Sequence, residues 1–177
     1  MVRLWQRDLQ AMVVLAGAAT DYSRTHLTRL IGRLPAEWRR RVVIRDDISE
    51  AEKWGWYREC DVLAHPSHIE SFGIVYLEAW LCGKPVVGGR TGPQMSLIAE
   101  GRDGLLVRFG DVDELAMQIG RLLEESGLAA ALGGAGRDKV LRHYTWETIV
   151  DRAAELYLSL ARRHEHTNGH GDHRHAQ

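Results

Sequence analysis

The sequence predicts an α/β protein built on a Rossmann-like parallel sheet flanked by helices. Two observations carry the prediction. Short apolar runs alternate with amphipathic stretches along the 177 residues, the pattern of a doubly wound sheet. The first of those runs, Met12-Val13-Val14-Leu15-Ala16, is continuously apolar, as in a parallel strand buried on both faces. No internal repeat breaks the alternation.

Taken in order, strands are expected over 12–16, 41–45, 61–64, 85–88 and 105–108. Helices are expected over 22–34, 50–59, 73–82 and 112–125, the last opening after Asp111, a residue suited to capping. A further helix over 128–143 carries Leu132, Ala135 and Val140 at helical spacing, with Gly133, Gly134 and Gly136 weakening its start. The last, 146–162, repeats Ile149, Ala153, Leu156 and Leu160 at three- and four-residue steps, so one face should dock on the sheet.

Composition bounds the function. A chain that is 45% hydrophobic and 27% charged, with net charge −1, can build one core and shows no sign of a polyanion partner, so nucleic acid is not expected. Lys53, Lys84 and Lys139 are the only lysines, and arginine supplies the remaining positive charge. Cys60 and Cys82 fit neither a zinc pair nor a disulfide framework, and both fall in segments read as buried, which suits a reducing cytoplasm. Arg3 and Arg7 before residues 11–19 imitate a short secretory signal, but Asp8 and Gln10 interrupt the approach and the run reads better as the first strand. No window is long enough to span a membrane.

The densest chemistry lies in residues 65–88, HPSHIESFGIVYLEAWLCGKPVVG, where Glu70 and Glu78 stand eight positions apart. Ser71 can cap and Gly73 opens an apolar helix, letting the backbone approach a ligand. The N–H groups of Ser71, Phe72, Gly73, Ile74 and Val75 would then gather at a helix N-terminus, which can hold a diphosphate without a side chain. Glu78 would reach a ribose and Glu70 the sugar beyond the diphosphate. The strand over 61–64 runs directly into this loop, where open α/β sheets bind ligands.

At these residues the chain resembles the retaining GT-B glycosyltransferases with a Glu-x7-Glu signature, the group 1 or family 4-like transferases. The resemblance covers roughly residues 11–160. It extends to Cys60-Asp61-Val62-Leu63, His65-Pro66-Ser67, Gly83-Lys84-Pro85-Val86-Val87, Glu100-Gly101-Arg102-Asp103-Gly104-Leu105-Leu106-Val107 and Tyr144-Thr145-Trp146-Glu147, in family order. It implies the C-terminal, donor-binding half of a GT-B architecture. Glu70 would be the catalytic residue, hydrogen-bonding donor sugar hydroxyls. The backbone from Phe72 to Val75 would hold the diphosphate and Glu78 the ribose. His65 would face the donor or serve as a structural histidine, while Gly17 and Arg45 would line the nucleotide side of the crevice. Asp46 and Asp47 divide evenly between base contact and a helix-capping turn.

The same resemblance implies transfer with retention from a nucleoside-diphosphate sugar, with no cofactor, no metal and no enzyme nucleophile. It also implies what is missing: an acceptor-binding Rossmann-like domain, and the first strand-helix unit of the donor domain with its Gly-Arg step and lysine. Met1 to Gln10 resembles only the end of the helix that follows that unit. Ser96 stands where relatives often place an acidic residue. The final helix commonly crosses to the other domain, so apolar surface on 146–160 and an unpaired sheet edge should be exposed. Residues 1–162 are therefore read as an N-terminally incomplete nucleotide-sugar-binding domain of a cytoplasmic protein, any membrane association arising through the missing domain. A module that binds a nucleotide sugar without transferring it, and a non-catalytic interaction domain, are the alternatives.

Several features resolve without function. Asp111-Val112-Asp113 imitates a metal-binding Asp-x-Asp, but its place before a periodic helix makes Asp111 an N-cap. Trp54, Trp56 and Tyr57 are read as packing, with base stacking the lesser alternative. The His-rich tail 163–177 has nothing apolar to bury and is expected to be disordered, without a fixed metal site.

Overall fold

The computed structural model describes residues 1–168. By backbone contacts they form two units, Met1–Arg137 and the segment beginning at Asp138.

In the first unit a short helix α1 (Val2–Trp5) precedes β1 (Val13–Gly17), α2 (Asp21–Gly32), α3 (Ala36–Arg39) and β2 (Val42–Asp46). Then follow α4 (Glu50–Glu59), β3 (Leu63–His65), α5 (Ile74–Leu81), β4 (Val86–Gly89), α6 (Gly92–Leu97), β5 (Leu105–Val107) and α7 (Val112–Glu124). The helix α8 (Ser126–His143) ends beyond the boundary, and α9 (Trp146–Asn168) belongs to the second unit. The expected strands and long helices are present within a few residues. Sequence reading missed α3 and α6, which are too short to show a period, while α1 falls within residues 1–10, read as the end of a helix.

Every strand pairing is parallel, with β1 on β2, β3 on β4 and β4 on β5. The single sheet expected is instead two, β1-β2 and β3-β4-β5. Burial falls off across this division: β4 and β5 are buried throughout, β3 only in part, and four of the five β1 residues are exposed. The expectation of a buried first strand is thus corrected. Its composition suits burial, but among the described residues only β2 pairs with it.

Local chemistry explains where the helices start. Thr20 and Ser23 form a capping box for α2, and Ser49 and Glu52 another for α4, each satisfying two of the N–H groups that a helix leaves unpaired. Asp111 caps α7 as expected, its Oδ1 accepting from the Glu114 N–H at 2.8 Å. The core joins Val87, Leu105 and Val107 of the three-stranded sheet to Leu122 of α7 and Leu132 of α8. Leu4 of α1 is fully buried, and its side chain lies against Gly120 of α7.

The glycines expected to weaken α8 have a different role. A Cβ on Gly133 would stand 2.0 Å from the Gly83 carbonyl oxygen, and one on Gly136 would stand 2.1 Å from the Trp80 ring, whereas Gly134 faces open space. Two of the three let α8 approach the end of α5.

In the second unit α9 continues to Asn168, six residues into the tail expected to be disordered; residues 169–177 lie outside the described residues. Its Ile149, Leu156, Tyr157 and Leu160 are all exposed, Leu156 by 59%.

Candidate functional site

The site is assembled where β3 gives way to α5. Gly73 is the N-cap of α5 in the left-handed conformation, φ 90°, and a Cβ there would strike the Tyr76 ring at 2.6 Å. Only glycine meets both demands. Ser71 is not the cap expected of it: no side-chain hydroxyl closes this terminus. Glu70 does part of that work, its Oε1 accepting from the N–H groups of Ser71 and Gly73 at 3.0 and 3.2 Å. No described hydrogen bond takes the Ile74 or Val75 N–H, the first two inside the helix.

The loop from β3 is held at several points. Tyr76 donates its hydroxyl to the His65 carbonyl at 2.6 Å, and Gln94, fully buried on α6, donates to the Ser67 carbonyl at 3.1 Å. The Thr91 hydroxyl donates in turn to Gln94 Oε1. Gly89 on β4 lets the Ser67 carbonyl come so close that a Cβ would stand 2.5 Å from it. The His65 ring meets the Tyr76 ring edge-on, and its Nε2 lies 3.3 Å from Glu70 Oε2. His65 therefore serves Glu70 and the loop in this structure.

Glu78 lies one turn along α5 from Ile74, on the same face, and Cα–Cβ bonds in a helix lean toward its N-terminus. Its two oxygens are both engaged from α4. Lys53 Nζ donates to Oε1 at 2.7 Å and the Tyr57 hydroxyl donates to Oε2 at 2.9 Å. Hydrogen bonding to Glu78, then to Glu50, raises the Lys53 pKa. Burial, reinforced by the hydrogen bond to Glu78, raises that of the Tyr57 phenol. Burial likewise pushes Tyr76 up to about 12.

These three groups keep their protons longer folded than unfolded, so the stability they add is present below the unfolded values near pH 10 and lost as pH rises through the raised ones. The thermal midpoint is therefore expected to fall as pH rises from about 10 toward 12, and less steeply in Tyr57→Phe. Equal slopes in the two proteins would show that Tyr57 has no share in the loss.

The other expected site residues, Gly17 and Arg45, have partners on other elements. Gly17 ends β1, and its carbonyl accepts from the Asp47 N–H. The Arg45 guanidinium stands over the Trp56 ring at 5.9 Å and donates to the Ile44 carbonyl. No described hydrogen bond joins either residue to the Glu70–Glu78 segment. Asp46 and Asp47 do not cap α4: Arg24 pairs with both, and Asp47 Oδ1 accepts from the Ala19 N–H, which ties β2 to the start of α2. Trp54 and Tyr57 pack edge to face, as read. Cys60 and Cys82, read as buried, are only partly so, and both are free. Sequence reasoning passed over Lys53, Tyr76 and Gln94 as site residues. The signal for Lys53 and Tyr57 was their four-residue spacing on one helix face; Gln94 left none.

Parallel strands, covering helices and a glycine-opened helix start beyond a strand's carboxyl end define an α/β domain of the Rossmann-like class. The chain belongs to the family described as glycosyl transferases group 1, whose model matches residues 1–125. It is 38% identical over 122 residues to a GDP-mannose-dependent alpha-(1-6)-phosphatidylinositol monomannoside mannosyltransferase of Mycolicibacterium smegmatis, covering 65% of this chain and 32% of that protein. It is 32% identical over 154 residues to a D-inositol 3-phosphate glycosyltransferase of Xylanimonas cellulosilytica, covering 86% of this chain and 36% of the relative. The chain thus spans about a third of these curated relatives.

Among solved structures, sucrose-phosphate synthase from Thermosynechococcus elongatus superposes with a TM-score of 0.79 at 28% identity, over 92% of this chain and 41% of that one. Anabaena Alr3699/HepE, solved in complex with UDP, matches with a TM-score of 0.75 at 30% identity, over 85% of this chain and 41% of its own. It has also been solved with UDP-glucose. The fold is that of the Rossmann-like C-terminal half of a GT-B glycosyltransferase. No helix among the described residues is long and apolar enough to cross a membrane.

Proposed function

We propose that this chain binds the nucleoside-diphosphate sugar donor of a retaining glycosyltransferase, and that transfer occurs when an acceptor-binding half stands opposite it. The observation that carries the reading is the start of α5. The Ile74 and Val75 N–H groups carry the positive end of the helix dipole there, between carboxylates only one-fifth exposed or less: 20% for the Glu70 side chain and 15% for Glu78. Donors fixed in this way strengthen as charge develops on a departing diphosphate, so they favour the transition state over the ground state.

In this reading Glu78 holds the ribose and Glu70 orients the sugar hydroxyls, with no enzyme nucleophile, metal or other cofactor. Gly17 and Arg45 are assigned to the nucleotide side, and Phe72 to the diphosphate-binding backbone. The relatives support the substrate class: one is named for GDP-mannose and another is solved with UDP-glucose, which leaves the base open.

The sheet supports a longer assembly. One further parallel strand between β1 and β3 would make the order β2-β1-new-β3-β4-β5, the classic doubly wound 3-2-1-4-5-6 with the added strand first. A polypeptide supplying that strand and an acceptor half would complete a transferase, and by itself the chain would bind donor without transferring it.

Calorimetry with UDP-glucose and GDP-mannose tests the reading. Saturable binding of one of them is expected. If neither binds, and neither is turned over beside an acceptor half from a relative, the interaction-domain alternative replaces it.

A further inference from the structure

Glu70 precedes the start of α5 and Glu78 lies one turn inside it, and the two are held differently. Glu70 has folded onto the Ser71 and Gly73 N–H groups. A carboxylate close to the positive end of a helix dipole is drawn toward it, and Glu78 points from the same face. It stays away because α4 holds it: Lys53 on one oxygen and Tyr57 on the other, themselves four residues apart on one face of that helix.

We propose that Lys53 and Tyr57 are positioning residues that set the ribose selectivity of the donor site, by holding Glu78 so that the remaining acceptor positions of both its oxygens are presented to a vicinal diol. The inference rests on the donor-site reading above. A carboxylate has about four acceptor positions. One donor on each oxygen fixes the plane of the group and leaves capacity on both for two neighbouring hydroxyls. A free glutamate would lose rotamer freedom on binding ribose; a clamped one has lost it already.

Charge points the same way. A carboxylate within reach of a nucleotide's ribose is also within reach of its diphosphate, and like charges repel strongly where water is scarce. The Lys53 ammonium, 2.7 Å from Oε1, offsets that repulsion and leaves the acceptor capacity intact. Glu50 adds a second carboxylate to the same ammonium and keeps it charged.

The test uses the 177-residue chain with UDP and GDP, each beside its 2′,3′-dideoxy counterpart, and reads the ratio of affinities. Wild type is expected to prefer the ribose form, and Glu78→Gln to lose most of that preference. Lys53→Met and Tyr57→Phe should each lower the preference about tenfold, the scale of one charge-assisted hydrogen bond; affinity for the dideoxy forms should stay within about twofold in Tyr57→Phe and fall in Lys53→Met, which leaves the Glu78 charge facing the diphosphate. Lys53→Arg should restore it in large part.

A contact that merely docks α4 on α5 would lower the melting temperature and leave the ratio unmoved. If Glu78→Gln abolishes the preference while Lys53→Met and Tyr57→Phe retain it, the clamp is overturned and the donor site stands. Failure of wild type to bind either nucleotide removes the donor site and the clamp together. Tyr57→Phe keeps the ring and removes one oxygen, so it decides the matter alone should Lys53→Met not fold.

Discussion

Gly133→Ala is expected to lower the unfolding free energy by about 3 kcal/mol or more, as an overpacked core position with no room to relax. The new methyl would meet the Gly83 carbonyl oxygen at 2.0 Å and its carbon at 2.7 Å. Both belong to backbone, and Gly83 is itself pinned in the turn that ends α5, with φ 70° and its N–H donated to the Trp80 carbonyl. Neither side can give way without moving α8 off the sheet.

One residue further on, the expected sign reverses. Gly134 is exposed with no atom near its would-be Cβ, so Gly134→Ala should stabilise by about 0.5–1 kcal/mol, the ordinary helix-propensity difference. Urea denaturation read as a shift in midpoint at constant slope separates the two outcomes. Similar effects of both substitutions would mean that α8 does not approach Gly83 this closely in solution.

Glu78→Ala is expected to weaken binding of a nucleoside-diphosphate sugar by about 1–3 kcal/mol, the range for losing hydrogen bonds to a charged group. The substitution also leaves the Lys53 ammonium and the Tyr57 hydroxyl without their carboxylate. Since Lys53 retains Glu50, part of its charge stays compensated. Calorimetry of the variant against wild type with UDP-glucose and GDP-mannose gives the number. An unchanged affinity would remove Glu78 from the ribose. A loss confined to melting temperature would make its bonds to α4 structural only.

Much of the fold was legible because its signals are local. The apolar run at 85–88 and the periodic stretch at 112–125 became β4 and α7, and Asp111 caps where its place before that helix said it would. The glycine at 73 was legible too, although its neighbour Ser71 misled: a hydroxyl near a helix start suggests a cap, and the longer Glu70 side chain reached the backbone first. The helix α9 was legible from its apolar spacing, since periodicity reports which residues share a face.

What the sequence determined by itself was the family, the parallel α/β class and the segment that carries the site, since motif spacing, strand composition and capping residues act over a few positions along the chain. Tertiary structure alone decided that Glu78 is held by Lys53 and Tyr57, that Gln94 pins the Ser67 carbonyl, and that Gly133 and Gly136 are places of close approach. It also decided that the strands stand as two sheets. Each of these joins groups far apart in the chain, and a contact of that kind follows from where packed elements bring their atoms, which no local pattern encodes.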